Sequence, residues 1–347
     1  MEEESANKIL VIGPSWVGDM VMSQALFMCL KKEEPDSQIT VMAPNWTRPL
    51  LDRMPEVDHS IDMEIGHGEL GLIARRKLGK SLRSSNFTQA IVLPQSFKSA
   101  LVPFHADIPL RTGWRGEWRN LLLNDCRSPR DAQFPLMVQR FTALAYPERK
   151  NPPAEIPTPR LVTDAESTAT AISKFCLVID SKVLAICPGA EFGAAKQWPS
   201  EYYAELSNSM LARGWQVWLL GSANDELIAE SILADIDNRY LEQCQNLVGR
   251  TNLAEAIDLM SLSSTVISND SGLMHVAAAL MKPVVAIYGS TSPDFTPPLT
   301  KKVKLLTTNI ECRPCFKREC PYGHLRCLTE LKPELAIASL ESFLTKE

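Results

Sequence analysis

Short apolar runs rich in β-branched residues recur along this chain, each closed by Gly or Pro and followed by a stretch of helical length. Lys8–Gly13 reads KILVIG, Ile39–Ala43 is closed by Pro44, and Ala90–Leu93 is closed by Pro94. A run that is apolar on both faces suits a buried parallel strand, because a strand with one wet face alternates. Parallel neighbours need a crossover between them, so strands and helices must alternate as βαβ units. The first crossover is Met20–Lys32, with apolar residues at helical spacing and lysine at its end.

The series halts at Tyr146–Arg160, YPERKNPPAEIPTPR, where five prolines in fifteen residues forbid a helix or a central strand. It then restarts. Val183–Cys187, Gln216–Leu220, Thr265–Ser268 and Val284–Tyr288 read as strands, while Trp198–Arg213, Ala254–Ser261 and Leu335–Leu344 read as helices. A chain of 347 residues suits two cores better than one. The expected divisions are a disordered leader 1–7, a Rossmann-like domain 8–150, a Pro-rich linker 151–165 and a second Rossmann-like domain 166–330. A C-terminal helical segment 331–347 would be placed to pack back on the first domain. In such folds ligands sit at the carboxyl ends of the strands, here in a cleft faced by both sheets.

Composition removes several function classes. The chain is 45% hydrophobic and 22% charged, as soluble globular proteins are. No run approaches the roughly 18 to 20 apolar residues of a membrane span, and MEEESANK lacks the apolar centre of a secretory signal. Nine cysteines without an export signal point to a reducing, cytoplasmic setting. A formal net charge of −5 weighs against general nucleic-acid binding. Between Gly66 and Arg119, however, nine basic residues meet three acidic ones, which points either to an anionic partner or to a solvated basic helix, ARRKLGKSLR.

The loops after the second-half strands are PGAEFGAAKQWP, GSANDE, SNDSGLMH and YGSTSPDF. All follow parallel strands and belong on one rim. Their amides, Lys196 and the acids Asp225 and Asp270 would suit a nucleotide diphosphate. In VISNDSGLMHVAAAL, Asp270, Ser271 and Gly272 start a helix, and the first two serve either as caps or as part of an anion site. His275 is read first as a packed core histidine, with proton transfer second. Asp19 is either a helix cap or a base for an acceptor hydroxyl. Neither a P-loop nor a G-x-G-x-x-G after the first strand occurs.

Taken together, WVGDM, SFKSALVPF, RTGWRGEWR, PGAEFGAAKQWP, NDSGLMHVAAAL and YGSTSPDFTPPL resemble the ADP-heptose:lipopolysaccharide heptosyltransferases, collinearly from Lys8 to Leu299. The resemblance implies an α/β GT-B fold, with acceptor on the first domain and ADP-heptose on the second. It implies inverting transfer of L-glycero-D-manno-heptose to the first heptose of heptosyl-Kdo2-lipid A, with no cofactor or metal. Asp19 would be the base, Lys196 would steady the leaving diphosphate, and Asp270 would hold the heptose. Ser271 and Gly272 would give amides to the pyrophosphate, Asp225 would touch the ribose, and His275 would border the donor. Lys98, Arg111 and Arg115 would meet the anionic acceptor, and the basic segment would meet the inner-leaflet surface as a peripheral partner. Within the family, Kdo2-lipid A or a later core acceptor is the alternative. Outside it the alternatives are a non-catalytic sugar-nucleotide-binding protein and a non-dehydrogenase sugar-nucleotide epimerase. One segment departs from part of the family: ECRPCFKRECPYGHLRCL carries Cys312, Cys315, Cys320 and Cys327, open to structural zinc, free thiols or disulfides.

Overall fold

The computed structural model describes residues 7–66, 69–128, 133–148, 150 and 154–344. Most of the expected leader, residues 151–153 of the expected linker and the last three residues lie outside these. The chain divides into two compact units, Met1–Pro159 and Arg160–Glu347.

The first unit holds strands β1 Lys8–Ile12, β2 Gln38–Ala43, β3 His59–Asp62, β4 Gln89–Val92, β5 Leu110–Trp114 and β6 Asp125–Arg127. They form one sheet in the order β3-β2-β1-β4-β5-β6, and every pair is parallel. The second unit repeats the plan with β7 Val183–Cys187, β8 Gln216–Leu219, β9 Cys244–Asn246, β10 Thr265–Asn269, β11 Val284–Ile287 and β12 Val303–Leu306. Its order is β12-β11-β10-β7-β8-β9, again all parallel. Read from the far edge, both sheets follow the doubly wound order 3-2-1-4-5-6. The direction of winding reverses between β1 and β4 in the first unit and between β7 and β10 in the second. Loops leaving two strands on either side of a reversal splay apart and leave a crevice, the usual ligand position in such sheets.

The expected strands are the central ones. All of β7, β8, β10 and β11 is buried. Strands β3, β5, β6, β9 and β12 escaped the sequence reading: β3, β6, β9 and β12 are short, partly exposed edges, and β5, LRTGW, is interior but has no continuous apolar run. The helix after β1 spans Val17–Glu33, three residues earlier than expected, so Asp19 lies inside its first turn and not at its cap. The helix expected from Trp198 begins at Ser200, with Pro199 as its N-cap. Trp198 is instead a core residue, its indole N–H donating to the Leu331 carbonyl at 2.8 Å. The closing helix, Pro333–Leu344, turns its apolar side into the second unit. Ala336 and Leu340 complete a core with Leu206, Leu211 and Ile287, and Arg213 pairs with Glu341. The buried face of this helix is thus used within the second unit.

Candidate active site

In the second unit, the loops after β7 and β10 flank the point of reversal and bring Lys196 to Asp270. Lys196 Nζ donates to Asp270 Oδ2 at 2.7 Å and lies 3.3 Å from the Asp270 carbonyl. The two side chains are only 13% and 4% exposed. The ammonium also stands 4.8 Å from the centre of the Phe192 ring, whose face attracts a cation. From the loop after β11, Thr291 Oγ1 donates to the same carboxylate oxygen at 2.6 Å. Three loops thus converge on one buried ion pair.

The capping reading of Asp270 and Ser271 does not hold here. The Asp270 carboxylate is engaged by Lys196 and Thr291, and Ser271 Oγ sits 3.1 Å from Ser268 Oγ. Helix Gly272–Ala279 therefore starts at Ser271 without a side-chain cap, and its first-turn amides keep their capacity for an anion.

Asn269, which the sequence reading passed over, joins these loops. It is fully buried, and all its hydrogen-bonding capacity is used. Its carbonyl accepts from Trp198 N–H at 3.1 Å and Tyr203 hydroxyl at 2.9 Å, while its amide donates to the Pro188 and Gly189 carbonyls. Arg313 performs a related task from the cysteine-bearing segment, donating to the carbonyls of Gly289 at 2.9 Å and Thr291 at 3.0 Å. Arg318 carbonyl accepts from Ala195 N–H, next to Lys196. The only sequence hints of these roles were an amide within a helix-start loop and arginines among cysteines.

Asp225 shapes its own loop. Its Oδ2 accepts from Ser222 N–H at 2.8 Å and Ser222 hydroxyl at 2.9 Å, closing the turn after β8. Its carboxylate lies so close to Gly189 that a Cβ there would come within 2.4 Å of it. His275 is buried, and burial pushes its pKa down to about 4, with Lys196 adding to the depression and Asp270 opposing it. It is a neutral imidazole at neutral pH, which agrees with core packing and leaves it no proton to give as a cation.

That burial has a testable consequence. Folded His275 titrates near 4 against 6.5 for the free side chain. Above pH 6.5 both states are neutral. Below it the unfolded chain takes up a proton that the folded chain refuses, so stability falls as pH drops toward 4, by on the order of 3 kcal/mol. Urea unfolding at pH 7 and pH 4.5 should show a smaller acid loss in His275→Asn than in the parent chain. Equal losses in both would remove His275 as the source.

Among the described residues, no group of three or more His, Cys, Asp or Glu side chains is placed to hold a metal ion. The nine cysteines are unpaired by disulfides. Cys312, Cys315, Cys320 and Cys327 do line one small pocket with His324, beside Ala195 and Ser290.

In the first unit, Asp19 is half-buried in the opening turn of helix Val17–Glu33, immediately beyond β1. Lys98 lies in the short turn Phe97–Ala100 after β4, and Arg115 is exposed just past β5. These three share the carboxyl end of the sheet. Arg111 does not. It stands at the start of β5, and its guanidinium is held by the carbonyls of Leu122 at 2.7 Å and Ile108 at 2.5 Å. The basic segment is likewise not one solvated face: Arg75 and Arg119 are buried, donating to the carbonyls of Leu70 and Val92 respectively.

Comparison with known proteins places this architecture. Residues 75–326 match the family model for glycosyltransferase family 9 (heptosyltransferase). The chain is 46% identical over 345 residues to lipopolysaccharide heptosyltransferase 2 of Salmonella typhimurium, covering 98% of this chain and 99% of that one. It is 47% identical over 346 residues to the protein of that name from Escherichia coli strain K12, with 98% and 99% covered. The solved structure of the E. coli ADP-heptose LPS heptosyltransferase II superposes with a TM-score of 0.88 at 45% identity, covering 98% of this chain and 99% of that one. With two doubly wound sheets and this likeness along almost its whole length, the chain belongs to glycosyltransferase family 9, the heptosyltransferases.

Proposed function

We propose that this glycosyltransferase moves L-glycero-D-manno-heptose from ADP-heptose to the first heptose of heptosyl-Kdo2-lipid A, with inversion and without a metal ion. The observation that carries this reading is the near full-length identity to lipopolysaccharide heptosyltransferases 2. The geometry of the site agrees with it. In the reaction the acceptor hydroxyl loses its proton to Asp19, and its oxygen forms the new bond to the anomeric carbon. The bond from that carbon to the ADP oxygen breaks, and ADP leaves with the electron pair. Attack from the face opposite the leaving group inverts the centre.

The leaving diphosphate gains negative charge as that bond breaks. Lys196 and the uncapped start of helix Gly272–Ala279 are fixed dipoles and charges already in place to receive it. Asp270 is oriented by Lys196 and Thr291, and would exchange part of that bonding for hydroxyls of the heptose. Asp225 would meet the ribose, and His275 would border the donor as a neutral group.

The peripheral membrane association belongs to the same proposal. No described helix is long and apolar enough to cross a membrane. On helix Leu72–Ser81 the exposed residues are Leu72, Ile73, Ala74, Arg76, Lys77, Lys80 and Ser81. Basic and apolar side chains on one short helix suit an anionic leaflet surface.

The test is transfer of labelled heptose from ADP-heptose to defined acceptors. Product is expected with heptosyl-Kdo2-lipid A and not with Kdo2-lipid A, and EDTA should leave the rate unchanged. A preference for Kdo2-lipid A would reassign the step, and activity lost to EDTA and restored by Mg²⁺ would contradict the metal-free scheme.

A further inference from the structure

The seven tryptophans fall into two sets. Trp114, Trp198, Trp215 and Trp218 are buried in the two cores. Trp16, Trp46 and Trp118 are 48%, 52% and 80% exposed, and all three belong to the first unit. Each lies on a loop that leaves the carboxyl end of a strand: Trp16 after β1, Trp46 after β2 and Trp118 after β5. Because those strands are parallel, the three indoles share one rim of the sheet, the rim that carries Asp19, Lys98 and Arg115.

These loops are built structures. Trp46 donates its indole N–H to the Ser15 carbonyl at 3.1 Å, which ties it to the loop of Trp16. Beneath Trp118, the buried Arg119 guanidinium is anchored on the carbonyls of Pro94 and Val92. Glu117 accepts the Phe97 N–H at 3.1 Å, and Gly116 lies so near the Gln95 carbonyl that a Cβ there would come within 2.3 Å. The loops after β4 and β5 are thereby locked together. Trp118 itself adopts φ +46°, a left-handed conformation that bulky side chains rarely occupy. Such a residue is held out into solvent at a cost, and strain of this kind collects at sites of binding.

We propose that Trp16, Trp46 and Trp118 form an aromatic rim that binds the sugar rings of the acceptor oligosaccharide. The C–H faces of a pyranose are apolar and slightly positive, and they complement the negative face of an indole. From β2 to β5 the rim crosses three strand spacings, about 14 Å, which calls for several linked sugars and not one. Lys98 and Arg115 on the same rim match an oligosaccharide that carries carboxylates, as Kdo does. The assignment rests on the acceptor class proposed above. It places saccharide recognition on the tryptophans and leaves the heptose donor to the second unit.

The test uses the full-length chain and the delipidated heptosyl-Kdo2 oligosaccharide, with binding measured by titration calorimetry. Trp118→Ala should weaken binding about tenfold, with ADP affinity unchanged, and Trp118→Phe should restore most of it. Trp16→Ala and Trp46→Ala should weaken it in the same direction, with circular dichroism spectra like that of the parent. Oligosaccharide affinity unchanged in all three alanine variants overturns the proposal. So does a loss seen only on vesicles of anionic phospholipid, which would make the indoles a membrane contact. Transfer of heptose reads the proposed function separately. A chain that transfers heptose while its tryptophan variants bind oligosaccharide normally keeps that function and loses the rim. A chain that binds oligosaccharide through these tryptophans without transferring heptose keeps the rim and loses the function.

Discussion

Asp19→Asn should fold normally, bind ADP as the parent chain does, and lose about 10²- to 10⁴-fold in turnover, the range that a general base contributes. The substitution is nearly isosteric, and it removes the one property that the proposed mechanism needs, a proton acceptor. Asp19 also sits in the first turn of helix Val17–Glu33, where a negative charge favours the helix dipole. Losing the dipole interaction by itself costs about 0.3 to 1 kcal/mol. The melting temperature of the variant separates a chemical loss from instability. Melting temperature, ADP affinity and single-turnover transfer should be measured on the same preparation. Turnover near that of the parent chain would remove Asp19 as the base.

Lys196→Met should lower turnover by about 10²- to 10³-fold, the usual loss when one fixed group facing a developing charge is removed. It should also weaken donor binding, since ADP carries the same charges in its ground state. Stability complicates this variant in a way it does not for Asp19. Lys196 and Asp270 are a nearly buried pair, and removing the lysine leaves a buried carboxylate that still accepts from the Thr291 hydroxyl but has lost its counter-charge. Stranding one partner of a buried pair costs about 3 to 5 kcal/mol. The double variant Lys196→Met with Asp270→Asn separates the two effects, because it removes both charges together. Its stability should recover toward that of the parent while its turnover stays low. Recovery of turnover along with stability would show that Lys196 acts only to support the fold.

Much of the site was legible before any coordinates. Post-strand loops were assigned to one rim because parallel strands leave no other choice, and the two halves obey that rule. The misreadings share a cause. Asp270 and Ser271 have the chemistry of caps, yet the Asp270 carboxylate goes to a lysine brought in from another loop. Arg111 and Arg119 look like surface charges in a basic run, yet both guanidiniums are held by main-chain carbonyls within the first unit. Asn269 carried no signal beyond its place in a turn, and its four partners come from a loop, a helix approach and a helix.

The amino-acid order by itself determined the alternation of strand and helix, the break between two α/β halves, and the rim on which the candidate site residues stand. Those properties follow from local periodicity and from the ban on proline in central strands, which act over a few residues at a time. Tertiary structure alone decided that Lys196 meets Asp270, 74 residues away, and which charges turn inward. It also decided which three tryptophans face water. The meeting exists because β7 and β10 are sheet neighbours. Whether a carboxylate caps a helix, pairs with a lysine or faces solvent depends on which distant group shares its burial, and no local pattern encodes that.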